Sequence, residues 1–206
     1  MEIKTDYQIV KLSQLNCAQT EQAIDLFVDG FYNIFSMSVS KDKDLLKELF
    51  IDAFDRDMVF VCLSKESVIG FLGLGNINKR CVCLSRETCK RLLGKFKGAL
   101  IYAQMGRMLH EITVHAPDEG YIDYITTDSH YRGKGIATKL IKYICDTLPY
   151  KQYMLDVLSK NTNAKNLYEY LGFTQVRIKK NPLVMLSGMG RQIIMKLDVN
   201  SKSRPD

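Results

Sequence analysis

The chain predicts a mixed α/β fold, a sheet carrying helices, and three observations point there. Runs with the two-residue period of strands alternate with stripes of helical period along nearly all of its 206 residues. Two apolar runs, Met58 to Leu63 and Val68 to Leu74, are separated by Ser64, Lys65, Glu66 and Ser67 alone, the pattern of an antiparallel hairpin. Further on, the strand-like run Tyr121 to Thr127 leads through Arg132-Gly133-Lys134-Gly135-Ile136-Ala137 into a helix-like run, Thr138 to Leu148. At this length and 46% hydrophobic content, one domain with a full core is expected over residues 1–198, followed by a polar, frayed tail at 199–206.

Each element has its own signal. Tyr7 to Leu12 alternates weakly, as a first strand does. Ala23, Ile24, Phe27, Phe31 and Ile34 recur at helical spacing, as do Leu45, Leu46, Leu49, Phe50, Ala53 and Phe54. Ser40 is the expected cap of the second helix, with Asp42 and Asp44 complementing its dipole. In the hairpin that follows, Gly70 and Gly73 weaken the second strand or mark bends in it. Residues 76–118 form a long connection with two helical patterns, Arg86 to Phe96 and Gly98 to Ile112, expected as an inserted lid or rim. After the glycine stretch, Ile136, Leu140, Ile141, Ile144 and Leu148 make one stripe, which Pro149 helps to stop. Tyr153 to Leu158 is a strand. Asn161 or Thr162 then caps a short helix with the stripe Ala164, Leu167, Tyr168 and Leu171, ended by Gly172. Phe173 to Ile178 and Gln192 to Leu197 complete the sheet.

Composition excludes several classes. Met1 to Val10 carries Glu2, Lys4 and Asp6 and lacks the apolar core of a signal peptide, and no stretch approaches the roughly 20 apolar residues of a membrane span, so a soluble, cytoplasmic protein without a membrane partner is expected. The six cysteines (Cys17, Cys62, Cys81, Cys83, Cys89, Cys145) contain no Cys-x-x-Cys pair and read as reduced thiols. His110 and Glu111 with His115 miss the zinc-protease spacing, because Val114 stands at the required position. No metal is expected. The net charge of +6 gathers in residues 76–118, where Lys79, Arg80, Arg86, Lys90, Arg91, Lys95, Lys97 and Arg107 outnumber Glu87, Glu111 and Asp118. A solvated face or an anionic partner accounts for such a cluster. Nucleic acid is not expected, since only Phe96 and Tyr102 interleave the cations.

The glycine stretch carries the chemistry. Glycines let the backbone approach a ligand closely, and successive N–H groups entering a helix N-terminus point together toward an anion, so the loop suits a pyrophosphate. Alone, Gly-x-Gly would serve equally as a tight turn. It does not stand alone: Arg132-x-x-Gly135-x-Ala137 after one strand is followed by Asn161-x-x-Ala164-x-x-Leu167-Tyr168-x-x-x-Gly172-Phe173 after the next. The pair resembles the GNAT superfamily of acetyl-CoA-dependent N-acetyltransferases, and the element order from Tyr7 to Leu197 is similar to that fold.

The resemblance implies a three-layer sandwich around a mixed, mostly antiparallel sheet of about six or seven strands, with acetyl-CoA (coenzyme A) as cofactor. Backbone N–H groups of Gly133, Lys134, Gly135, Ile136 and Ala137 would hold the pyrophosphate, with the side chains of Arg132, Lys134 and Thr138 in support. The strand near Ile125 and Thr127 would pair its backbone with the pantetheine arm in a cleft where two strands splay. Asn161 would touch the cofactor from the following strand, and Tyr168 matches the frequent general acid. Thr127 stands where Val or Ile is usual, but that contact is through backbone. Ala137 replaces a common Gly and is an accepted variant.

Transfer of an acetyl group to an amine requires the free base, and an amine of pKa roughly 10 is deprotonated only about one part in a thousand at pH 7. By the two-residue period Glu119, Tyr121, Asp123 and Ile125 share a strand face. Glu119 falls where some family members keep a catalytic glutamate and Asp123 lies nearer the expected thioester, so both are candidate bases, with a water relay as the alternative. A free backbone N–H on the splayed strand would stabilise the oxyanion. The departing thiolate, whose conjugate acid has a pKa of roughly 8.5, would take a proton from Tyr168. Cys145, within a helix, is a poor nucleophile, so direct transfer to a primary amine of a small molecule or peptide is expected. The basic insertion disfavours polycationic acceptors. The competing function is a catalytically silent CoA-binding module acting through that insertion. The acceptor's identity and the oligomeric state, a homodimer included, are open.

Overall fold

The computed structural model describes residues 7–109, 114–179 and 190–199. The end of the helix expected to reach Ile112, the His110 and Glu111 pair, and the tail from residue 200 lie outside them. Seven strands form one sheet: β1 (Tyr7–Lys11), β2 (Val59–Ser64), β3 (Ser67–Gly75), β4 (Glu119–Thr127), β5 (Gln152–Leu158), β6 (Thr174–Lys179) and β7 (Gln192–Asp198). They lie in the order β1-β2-β3-β4-β5-β7-β6. β4 and β5 run parallel, and the other neighbouring pairs are antiparallel. A parallel pair needs a crossover, and α5 (Ile136–Thr147) supplies it.

The other helices are α1 (Cys17–Ser38), α2 (Lys43–Phe50), α3 (Arg86–Leu93), α4 (Lys95–Leu109) and α6 (Thr162–Tyr170). Two cores, one on each face of the sheet, follow from strand alternation. Val59, Val61 and Phe71 point to a core with α1 and α2, in which Phe27 touches Phe35, Phe50, Phe54 and Phe71. Phe60, Cys62 and Leu72 point to a second core with Ile136, Leu140 and Ile144 of α5 and Tyr168 of α6. The result is three layers.

Local chemistry sets the boundaries. Asn16 and Gln19 form a reciprocal cap on α1, with Gln19 N–H donating to Asn16 Oδ1 at 2.8 Å. The cap of α2 is Asp42 rather than Ser40: its Oδ1 accepts from the N–H of Asp44 and Leu45, while Ser40 Oγ accepts from the N–H of Asp42. An aspartate has acceptors enough for two amides and carries the charge the dipole favours. Gly70 serves close approach: a Cβ there would come within 2.6 Å of Ile136 Cγ2, so its absence lets α5 lie against β3.

The insertion is fastened to the domain before its helices begin. Asp55 N–H donates to the carbonyl of Cys81 and Cys83 N–H to that of Ala53, which stitches residues 81–83 along 53–55. Cys89, Ile101 and Met105 are buried in the α1–α2 core. Its charge is partly neutralised, with Lys79 paired to Asp55, Arg80 to Asp123 and Arg91 to Glu48.

Candidate active site

The centre of the sheet opens. β4 and β5 pair from Glu119↔Gln152 to Ile122↔Leu155 and no further, so on the β5 side the backbone of residues 123–127 has no strand partner among the described residues. β4 also bulges. Its pairing with β3 shifts between Gly73↔Tyr124 and Leu74↔Ile122, leaving Asp123 as the extra residue. The bulge breaks the strict alternation. Ile122 and Ile125 lie with the α5 core, whereas Tyr124 stacks edge-on against Phe27 and Phe31 of α1. The expectation that Glu119, Tyr121, Asp123 and Ile125 share one face therefore fails at Ile125.

At the open end of β4 the chain turns through Ser129–Tyr131 into the glycine stretch and α5. Gly133 and Gly135 have φ of +74° and +78°, left-handed values that side chains with a Cβ resist. A Cβ at either would meet nothing within 4 Å, so the two glycines stand over open space. Gly135 caps α5 without a side-chain hydrogen bond, no acidic residue occupies the first turn, and the first internal bond is Lys139 N–H to Gly135 C=O at 3.0 Å. The N–H groups of Ile136, Ala137 and Thr138 thus precede any intrahelical acceptor, leaving an uncapped positive helix end. The Ile136 side chain is buried beneath it. Arg132 and Lys134 are exposed beside it, with Lys134 Nζ 4.7 Å from the Tyr131 ring centroid. These residues fit a pyrophosphate by donor set and by open space.

The remaining expected positions divide. Tyr168 of α6 is 6% exposed, its ring 5.7 Å from that of Phe173, and its hydroxyl has no hydrogen-bond partner among the described residues. Burial, and then the charge of Asp156, push that hydroxyl above the ordinary tyrosine range. The Asn161 side chain caps α6, accepting from Ala164 N–H at 3.2 Å. Glu119 sits at the closed end of the splay, and its Oε2 accepts from the N–H groups of His115 and Ala116 at 2.9 and 3.2 Å. The Asp123 side chain is fully buried. It is ion-paired with Arg80 at 2.5 Å and accepts from Cys81 N–H at 3.0 Å. Burial holds its carboxyl above the ordinary value despite the guanidinium, and the enclosure leaves it no route to an acceptor.

Residue spacing gave no sign of Asp156, Arg80 or Gln192 at this site. Tyr121 donates its hydroxyl to Asp156 Oδ1, Gln192 Nε2 donates to Oδ2 at 2.5 Å, and the Arg80 guanidinium lies 5.1 Å from the Tyr121 ring centroid. The available signal was a lone aspartate in the alternating strand Tyr153, Leu155, Val157.

A family profile described as acetyltransferase (GNAT) family matches residues 21–173. The chain belongs to that family. Among GNAT relatives, the [ribosomal protein bS18]-alanine N-acetyltransferase of Escherichia coli (strain K12) is 31% identical over 101 residues, 47% of this chain and 68% of the relative. N-alpha-acetyltransferase 30 of Saccharomyces cerevisiae is 38% identical over 61 residues, and the match spans 28% of this chain and 35% of the yeast protein's length. The GNAT fold is equally plain in solved structures. An N-acetyltransferase from Staphylococcus aureus Mu50 superposes with a TM-score of 0.61 at 18% identity, covering 92% of this chain and all of that one. The NatC complex bound to Gag peptide and CoA gives 0.54 at 17% identity, covering 95% of this chain and 99% of the other.

Proposed function

We propose that this GNAT chain transfers an acetyl group from acetyl-CoA directly to a primary amine at the N-terminus of a peptide or protein. The observation that carries the proposal is the uncapped start of α5, with two left-handed glycines over open space, at the mouth of the β4–β5 splay. Relatives named for acetylating α-amines and an alanine support the acceptor class.

Gly133 to Ala137 would hold the diphosphate through main-chain amides, with Arg132, Lys134 and Thr138 beside it, and the unpaired β4 edge near Ile125 and Thr127 would receive the pantetheine arm. Asn161, already engaged in capping α6, would offer the cofactor its position rather than its side-chain oxygen. The bound thioester supplies the activated acetyl group. Tyr168 would give its proton to the sulfur, for which its buried, protonated hydroxyl suits it. An unpaired amide on the splayed strand would stabilise developing charge on the carbonyl oxygen. Glu119 would order the loop at His115 and Ala116 and so act on the reaction indirectly.

Calorimetry with CoA, followed by thiol release on a panel of peptides with free and blocked N-termini, tests this function. Uptake of CoA and turnover on free α-amines is the expected result. A folded protein that takes up no CoA would overturn it.

A further inference from the structure

The connection between β3 and β4 carries a helical hairpin, α3 and α4, with Gly94 alone between them. A Cβ at Gly98 would come within 2.3 Å of the Cys89 carbonyl oxygen, so the two helices touch backbone to backbone and fix each other's direction. Ile101 and Met105 point from α4 into the α1–α2 core. Phe96, Leu100 and Ala103 stand a turn apart on the opposite face and are exposed. Phe96 is 94% exposed, more than any other large apolar side chain described, and Leu100 is 62% exposed. An apolar second face on a surface helix marks a contact made outside the domain.

The surroundings of this stripe say what the contact is made with. Lys95 and Lys97 flank Phe96, one on each side of the helix, and Arg86 and Lys90 of α3 line an open groove with Phe96 and Ala99. The ion pairs of the insertion use Lys79, Arg80 and Arg91, and none among the described residues takes up these four cations. α4 contains no Asp or Glu, and Glu87, the acid in the groove, accepts from Ser85 Oγ at 3.1 Å. An isologous contact with a second copy would set cation against cation. Anionic headgroups above acyl chains supply negative charge and a yielding apolar phase together, which suits a protruding ring ringed by lysines.

We infer that the α3–α4 hairpin is a docking surface for an anionic lipid bilayer. Phe96 and Leu100 enter the boundary between headgroups and acyl chains, and Arg86, Lys90, Lys95 and Lys97 meet the lipid phosphates and carboxylates. Among the described residues no helix is long and apolar enough to cross a membrane, so the contact is with the surface alone. The lack of a spanning stretch, from which no membrane partner was expected, does not bear on a contact of this kind.

Docking does not depend on acetyl transfer, so it is tested without turnover. Protein is co-sedimented with vesicles of phosphatidylcholine and phosphatidylserine in about two-to-one proportion, and with vesicles of phosphatidylcholine alone. Wild type should bind the mixed vesicles at least about tenfold more tightly, and should lose most of that preference in about 1 M salt, where charges are screened beyond roughly 3 Å. Lys95→Ala combined with Lys97→Ala should weaken binding about thirtyfold, and Phe96→Ser about tenfold through lost apolar burial. All three side chains are exposed, so these variants keep the wild-type fold. Equal binding to both kinds of vesicle, or to neither, overturns the inference, as does wild-type affinity in Phe96→Ser. Without vesicle binding, retention on heparin would assign the cations to a polyanionic macromolecule instead. A dimer by ultracentrifugation that Phe96→Ser dissolves, again without vesicle binding, would assign the stripe to a second copy and equally overturn it.

Discussion

The two sides of the β4–β5 splay are built differently. The cradle proposed at the start of α5 is one continuous stretch that presents main-chain amides, so its form depends on two left-handed glycines and an uncapped helix. The opposite side is assembled from side chains on β4, β5 and β7 with an arginine from the connection after β3, so it depends on strand register and on the bulge at Asp123. A backbone site tolerates change in its side chains but not in its dihedral angles. A site of side chains tolerates the reverse.

The largest effect should come from the support of the side-chain region. Asp123→Ala would leave the Arg80 guanidinium buried without its partner, a loss of about 3–5 kcal/mol by chemical denaturation. If stability falls by less than about 1 kcal/mol, the comparison loses one of its terms, because the pair would be behaving like a surface ion pair. Next, Tyr168→Phe should lower kcat about a hundredfold with little change in CoA affinity. Because burial raises the Tyr168 hydroxyl, the wild-type rate should show no descending limb below the ordinary tyrosine value of about 10. A fall in rate setting in at pH 8 would point to another acid.

Gly135→Ala tests the backbone side. Forcing a Cβ into the left-handed region costs roughly 1–2 kcal/mol, so CoA affinity should drop about tenfold by calorimetry, whereas Lys134→Ala should matter less. Equal losses in the two variants would mean that side-chain charge, not main-chain geometry, holds the anion. The smallest effect concerns the thiols. Burial pushes Cys62 up to about 11 and Cys145 to about 12, while Cys17 and Cys83 are exposed. Alkylation at pH 8 followed by mass spectrometry should therefore mark Cys17 and Cys83 first. Early modification of Cys145 would show that α5, and with it the cradle, opens readily.

Legibility followed the same division. The order of strands and helices, the hairpin and the glycine loop could be read because each is encoded by neighbours in the chain: period, turn residues, caps. Where a local signal had two readings, packing chose between them, as when Asp42 rather than Ser40 capped α2. Asp123 looked like a base because a two-residue period places it on the cleft face. The ion pair with Arg80 and the hydrogen bond from Cys81 N–H lock it away, and those partners come from a distant stretch of chain that no strand period reveals.

By itself, then, the sequence determined the fold class, the family and the glycine loop that opens α5, since all three are written in local spacing and backbone freedom. Tertiary structure decided that Asp123 is locked against Arg80 and that Asp156 meets Tyr121 and Gln192. Tyr121, Asp156 and Gln192 are separated by dozens of positions and meet only through the register of β4 with β5 and of β5 with β7. That register is set by burial of both sheet faces, a property of the whole packed sheet rather than of any one strand.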